Sequence, residues 1–466
     1  MPDAIAFTLN GQPRALPTGT SPSMSLLDWL RGPAGLPGTK EGCAEGDCGA
    51  CTVALEDAAG GRVPVNACLT MLGQVHGRAI RTVEGLGAAH PVPRILAEHD
   101  GTQCGFCTPG IVMAAWAALP GGGDSHEALA GNLCRCTGYR PIIDAMGAMK
   151  GLVPDAVPAM PSVQSGMFAA PGQDFWLPAD LGSLLALRAA HPDAWLLAGG
   201  TDLGLRVSDH RERPARVICL LAVPEMQALA VEADAITLGA AVPYHRLLAA
   251  LRDLPGDDTL AVPFIRLLAR LGSAQIRGMG SIGGNLGTAS PIGDALPPLV
   301  ALGASVTLAS LRGTRVMPVE EFLIGYRKNA LAPDDVVLSI RIPRPTPGTL
   351  VAMEKLSRRH DQDITAVGFC AVVLVADGRV AAARLAFGGV GPTILRARAA
   401  EAALVGAPWS LASVQAAARA VQADIAPLDD LRGSAAWRRD AATGLVERVW
   451  WRGQRDDVEP MSVEAI

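Results

Sequence analysis

Eight of the ten cysteines lie within the first 136 residues, and they form two sets of four. The first is Cys43-x4-Cys48-x2-Cys51, with Cys68 after sixteen intervening residues. The second is Cys104-x2-Cys107, followed after 26 intervening residues by Cys134-x-Cys136. Clustered cysteines in a chain that opens Met1-Pro2-Asp3-Ala4-Ile5, with no charged-then-apolar leader pattern, predict metal binding before disulfides. The first spacing is one that wraps a [2Fe–2S] cluster. Four thiolates must converge on two irons, so the loop has to close tightly. Gly42, Gly46 and Gly49 allow that close approach and bring backbone amides to the sulfurs. Four cysteines also suit tetrahedral zinc, but zinc sites favour paired C-x2-C knuckles over three cysteines on one glycine-rich loop. For the second set the spacing alone leaves iron–sulfur and zinc both open. Cys219 and Cys370 stand alone in apolar runs and read as buried thiols.

The order of elements predicts an α+β multidomain chain. Alternation at Ile5, Phe7 and Leu9 reads as a strand, Ser25 to Leu30 as a short helix, and Thr52 to Leu55 as a strand. From about residue 92 the pattern turns helical, with Thr108-Pro109-Gly110 opening the helix that includes Ile111 to Ala118. Residues 152–175, rich in Pro, Ala and Gly, read as a linker. Alternating strands and helices follow to about 345. A Pro-rich turn (Pro343, Pro345, Pro347) then opens a last region with strands such as Ala371 to Ala376 and helices such as Leu395 to Leu404. With 466 residues, 49% of them apolar, a sizeable core is possible. The net charge of −5 without a long basic run argues against nucleic acid. No apolar run approaches a bilayer-spanning length, so a soluble cytoplasmic protein without a membrane partner is expected.

The residues around the second cysteine set are Gln103-Cys104-Gly105-Phe106-Cys107-Thr108-Pro109-Gly110 and Gly131-Asn132-Leu133-Cys134-Arg135-Cys136-Thr137-Gly138-Tyr139. They resemble the second cluster of the xanthine oxidase family of molybdenum hydroxylases, which pairs a plant-type ferredoxin domain with a four-helix domain in this order. The resemblance implies a ferredoxin β-grasp domain over 1–88 and a helical [2Fe–2S] domain over 89–151. Cys43, Cys48, Cys51 and Cys68 would bind the outer cluster. Cys104, Cys107, Cys134 and Cys136 would bind the inner one, with Gln103 and Cys136 lying against a partner's molybdopterin.

Two glycine-rich elements follow. Gly278-Met279-Gly280-Ser281-Ile282-Gly283 formally matches G-x-G-x-x-G. It is not read as a Rossmann fingerprint, because a glycine-rich loop (Gly284 to Pro291) and not a helix is expected after it, and no acid lies at the required distance. Leu196-Leu197-Ala198-Gly199-Gly200-Thr201-Asp202-Leu203-Gly204 runs from a strand into a turn of bare amides suited to phosphate. Either element alone is as well read as a structural turn. Together they resemble the flavin domain of the same family, with its A-G-G-T-D and S-I-G-G-N loops. The resemblance implies a vanillyl-alcohol-oxidase-like FAD-binding domain over 176–345 and a C-terminal α+β domain over 346–466. Leu196 to Leu203 (Leu196, Leu197, Ala198, Gly199, Gly200, Thr201, Asp202, Leu203) and Ser281, Ile282, Gly283, Gly284 and Asn285 would cradle FAD. Asp294, Val337 and Lys355 would touch it, and Tyr326, Asp361 and Asp363 would lie where NAD⁺ docks as acceptor. Where several relatives have Phe-Ala before the second loop, this chain has Leu271-Gly272.

Nothing in the 466 residues resembles the family's molybdenum domain. The resemblance therefore implies an electron-transfer subunit with two [2Fe–2S] clusters and FAD, a molybdopterin-binding large subunit as partner, and an (αβ)2 heterotetramer. Iron–sulfur and flavin parts on one chain resemble the bacterial xanthine dehydrogenases; the carbon monoxide dehydrogenases usually divide them. The same motifs would serve a chain acting for an aldehyde or N-heterocycle hydroxylase. A carrier without flavin is disfavoured by the intact glycine loops.

Overall fold

A computed structural model describes residues 3–56, 61–119, 124–152, 163–256 and 258–453. The fold divides into two compact units, residues 1–226 with 272–281, and residues 227–271 with 282–466.

The first unit opens with a five-stranded mixed sheet. Ala6–Leu9 pairs in parallel with Ala79–Arg81 and antiparallel with Gln12–Ala15, while Thr52–Glu56 lies between Ala79–Arg81 and Arg62–Asn66. The helix Leu26–Arg31 starts where Ser25 caps the Asp28 amide, and it buries Leu26, Leu27, Trp29 and Leu30. A parallel pair inside a small sheet crossed by one helix is the expected β-grasp form. After the one-turn helix Val83–Leu86, four longer helices follow among the described residues: Pro91–Glu98, Thr108–Ala118, Ser125–Leu129 and Arg140–Ala148. Thr108–Ala118 is apolar all round and buries Gly110 to Ala117, so it forms the axis of this domain. Arg62 joins the domains: its guanidinium lies 4.0 Å from the Trp116 ring centroid and donates to the Trp116 carbonyl.

Residues 153–162 of the expected linker lie outside the described residues. Its end is not a linker: Gly166–Ala170 and Gln173–Leu177 form a hairpin, extended by Arg216–Cys219 and Trp195–Leu197. The physical reason is alternation, since Gln173, Phe175 and Leu177 face inward, and composition alone hid it. Phe168, Phe175, Leu197 and Val217 then join Phe7, Leu55 and Leu72 in one core. The expected FAD-binding domain over 176–345 is thus divided between the units.

The second unit holds a five-stranded sheet in which Val336–Pro343 pairs with Ala235–Gly239 and Ser305–Ser310. A second sheet, built on Thr349–Leu356, Val367–Ala376 and Arg379–Gly388, packs with the helices Arg398–Leu404, Leu411–Ala420 and Ala435–Arg452 around Phe369, Phe387 and Leu445. Leu395–Arg396, expected within a helix, is a short strand that ends before Arg398. Among the described residues no helix is long and apolar enough to cross a membrane.

Candidate iron–sulfur and flavin sites

The structure brings the first four cysteines together on two loops. Residues 42–51 precede the strand Thr52–Glu56, and Cys68 follows Arg62–Asn66. The sulfurs pair: Cys43 interacts with Cys48, and Cys51 lies 3.3 Å from Cys68. The amides of Glu45 and Cys48 point at the Cys43 sulfur from 3.5 and 3.4 Å, and the Asn66 side-chain amide at Cys51 from 3.8 Å. The bond to Cys48 draws the Cys43 thiol down to about 5 and holds Cys48 up. The bond between Cys51 and Cys68 likewise lowers the first and raises the second. Two thiols per iron, with amides aimed at sulfur, are the donor set of a [2Fe–2S] cluster, and these residues fit it.

The second set pairs in the same way, Cys104 with Cys136 and Cys107 with Cys134. Cys104 is lowered by the Phe106 amide and then by Cys136, while burial and Cys134 push Cys107 up to about 12. Against desolvation, the Thr137 hydroxyl and amide hold Cys134 down. Tyr139, in the left-handed region, turns its hydroxyl back to accept from the Cys134 amide at 2.8 Å. Cys104, Cys136, Phe106 and Leu133 are exposed.

The two cysteine loops touch each other. The Leu133 amide donates to the Cys48 carbonyl at 2.9 Å. Gly49 has φ +65°, and a Cβ there would meet the Gly131 carbonyl oxygen at 2.0 Å. A Cβ on Gly110 would meet the Gly49 carbonyl oxygen at 2.2 Å. Cys219 and Cys370 are buried away from these loops, and desolvation pushes Cys219 up to about 12, in line with their reading as packing residues.

The proposed flavin residues are spread over both units. In the first, the strand Trp195–Leu197 leads into Ala198-Gly199-Gly200-Thr201 and the helix Leu203–Ser208. This turn is held from below, where Gln74 donates to the Ala198 carbonyl at 3.0 Å. A Cβ on Gly199 would meet the Met279 carbonyl oxygen at 1.8 Å, so only glycine fits. In the second unit, Lys355 and Asp294 form a buried ion pair at 2.7 Å, and Thr365 also donates to Asp294. The buried Asn285 Oδ1 has no hydrogen-bond partner. Val337 sits in the strand Val336–Pro343 and is buried. Within the first unit, the bare amides of the glycine turn suit a phosphate; within the second, the orphaned Asn285 oxygen suits a ligand hydroxyl that would donate to it.

One expectation is corrected. Residues 282–288 are not a loop but the helix Ile282–Thr288, and the helix Ala274–Met279 precedes the glycine motif. The Rossmann reading therefore fails because a helix, not a strand, comes first. Tyr326 is exposed. Asp363 is turned onto its own loop: it accepts from the Arg359 amide at 2.8 Å, and against desolvation such amides lower its carboxyl. Sequence reasoning missed Gln275, Thr52, Asn66 and Gln74 as site residues; their partners are distant in sequence and no motif marks them.

These sites define an iron–sulfur flavoprotein with two cysteine-lined cluster loops docked on each other. Three family descriptions match: "[2Fe-2S] binding domain" over residues 82–147, "FAD binding domain in molybdopterin dehydrogenase" over 167–345, and "CO dehydrogenase flavoprotein C-terminal domain" over 352–452. Xanthine dehydrogenase 1 of Arabidopsis thaliana is 33% identical over 91% of this chain and 38% of its own length. The chain thus spans under two fifths of the length of that curated relative. Among solved structures, a carbon monoxide dehydrogenase chain from Hydrogenophaga pseudoflava matches with TM-score 0.55 and 31% identity, over 60% of this chain and 96% of that one. Quinoline 2-oxidoreductase from Pseudomonas putida 86 matches with TM-score 0.53 and 28% identity, over 59% and 94%. The chain belongs to the xanthine oxidase family of molybdenum hydroxylases, as its iron–sulfur and FAD electron-transfer part.

Proposed function

We propose that this chain takes electrons from a molybdopterin centre on a large partner subunit. It would pass them through two [2Fe–2S] clusters to FAD and on to NAD⁺, during oxidation of hypoxanthine and xanthine to urate in the cytoplasm. The observation that carries the reading is continuity: one xanthine dehydrogenase sequence matches 91% of the chain, through the cluster, flavin and C-terminal regions alike. The cofactors supply the redox chemistry, with clusters moving single electrons and flavin converting them to a hydride.

The chain's own residues bind, orient and shield. Cys43, Cys48, Cys51 and Cys68 would hold the outer cluster, and Cys104, Cys107, Cys134 and Cys136 the inner one. The exposed Cys104, Cys136, Phe106 and Leu133 are where the partner would cover the inner cluster. Leu196 to Leu203 and Ser281 to Asn285 would bind the phosphates and sugar chain of FAD through backbone amides. Lys355 would present a positive charge oriented by Asp294. Tyr326 and Asp361 would face NAD⁺, and an (αβ)2 assembly is expected.

The test is anaerobic, xanthine-dependent reduction of NAD⁺ by the chain purified with its partner, with iron and flavin counted on the same sample. Turnover supports the reading. Full cofactor content without xanthine turnover would move it to a second reading, a hydroxylase of another N-heterocycle or an aldehyde, which the likeness to quinoline 2-oxidoreductase favours.

A further inference from the structure

Gln275 belongs to the flavin region of the sequence, yet its side chain is buried where the two cysteine loops meet. It is 1% exposed, as is Thr52, and Asn132 is 3% exposed. Its amide nitrogen donates to Thr52 Oγ1 at 3.0 Å and to Asn132 Oδ1 at 2.8 Å, which uses both of its protons. Thr52 in turn donates to the Gly49 carbonyl at 2.6 Å, and Asn132 donates to the same carbonyl at 3.0 Å. The ring of bonds closes on Gly49, which follows Cys48. Thr52 follows Cys51, and Asn132 stands two residues before Cys134. Glycine is required opposite the glutamine as well, since a Cβ on Gly131 would meet Gln275 Oε1 at 2.1 Å.

Without Gln275, Asn132 Oδ1 would lose its donor in a buried site, and neither loop supplies another within this ring. The loops would then be held by the bonds from the Asn132 amide nitrogen to the Gly49 carbonyl at 3.0 Å and to Thr52 Oγ1 at 3.4 Å, and by the backbone bond from the Leu133 amide to the Cys48 carbonyl. That hydrogen bond is a short link between the backbone of Cys48 and that of the neighbour of Cys134.

We propose that Gln275 is a positioning residue for electron transfer between the two clusters, fixing the loop of Cys48 and Cys51 against that of Cys134. The inference rests on the two-cluster reading above. It concerns the spacing of the clusters and the backbone bond between them, and not cluster assembly.

The test uses the full chain carrying its clusters and flavin, with Gln275→Met, which keeps the shape and removes both donors. Iron content and the two cluster signals in electron paramagnetic resonance are read first. Hydrogen exchange at the Leu133 amide and the rate of electron equilibration between clusters after pulsed reduction are read next. The expected result is unchanged iron with both signals present, Leu133 exchange faster by about tenfold or more, and equilibration slowed several-fold. Unchanged exchange and rate, with both clusters present, would overturn the proposal. If Gln275→Met does not accumulate with both clusters, Thr52→Val, which at constant shape removes the acceptor for Gln275 and the donor to Gly49, decides by the same two readouts. A wild-type chain with only one cluster signal would instead overturn the two-cluster reading.

Discussion

Gly49 makes the case at the scale of one residue. Its φ of +65° already disfavours a side chain, and the atom a Cβ would strike is a backbone oxygen, that of Gly131. Backbone cannot swing aside as a side chain can. Gly49→Ala is expected to destabilise the chain by about 2–4 kcal/mol and to lower iron content. Gly105→Ala, at φ +82° with nothing within 4 Å, should cost only about 1–2 kcal/mol of backbone strain. Thermal unfolding of the pair separates the two effects. His76 offers a pH test. Its Nδ1 accepts the Ala6 amide at 3.0 Å, and burial lowers its pKa from the ordinary 6.5, against a raising effect of Asp3. The folded state therefore binds its proton less readily than the unfolded one. The stability that this ring contributes is complete above pH 6.5 and is lost as the pH falls below it. The fall in Tm between pH 7 and pH 5 (roughly half a unit above to one and a half below a histidine's ordinary pKa) should be shallower in His76→Asn. Cys43, Cys48 and Cys51 were legible as a group because they share one short loop, whereas the second set was grouped by resemblance. The reason for Gly49 was not legible, because Gly131 lies 82 residues away in the chain.

At the scale of elements, the same blindness to distant neighbours explains the misread second glycine segment. Glycines at 283, 284 and 287 suggest a loop, yet Ile282–Thr288 is helical. A Cβ on Gly283 would meet the Ala240 carbonyl oxygen at 2.2 Å, so this glycine lets a helix lie close on a neighbouring chain segment. Propensity alone gives the opposite answer. Likewise Gly278 belongs to the helix Ala274–Met279 and clears the Pro64 carbonyl. The strand Val367–Ala376 was legible from Ala371 onward because an apolar, β-branched run needs no partner to be recognised. The tie between Lys355 and Asp294 joins a strand to a loop 61 residues away. Their side chains are 3% and 10% exposed, so Lys355→Met would leave a nearly buried carboxylate without its cation. A loss of about 3–5 kcal/mol is expected, together with lower flavin retention, checked by thermal unfolding and by flavin absorbance of the purified variant.

At the scale of the whole molecule, the structure groups the chain differently from its motifs. The ferredoxin sheet, the four helices and the first glycine turn fall in one unit, with the segment 272–281 folded into it, and the rest forms the other. Sequence reasoning found the order of the cofactor regions but drew boundaries at changes of composition, which need not coincide with where cores close. In the first unit Phe168 and Phe175, both inside the expected linker, are buried in the ferredoxin core. The central claim is that this chain holds two [2Fe–2S] clusters and one flavin. The most direct measurement is iron, acid-labile sulfide and FAD per chain on the anaerobically purified protein, with electron paramagnetic resonance of the reduced sample. The account predicts about four irons, about four sulfides and one FAD per chain, and two distinct [2Fe–2S] signals. Zinc in place of iron, or about two irons with a single signal, would contradict it.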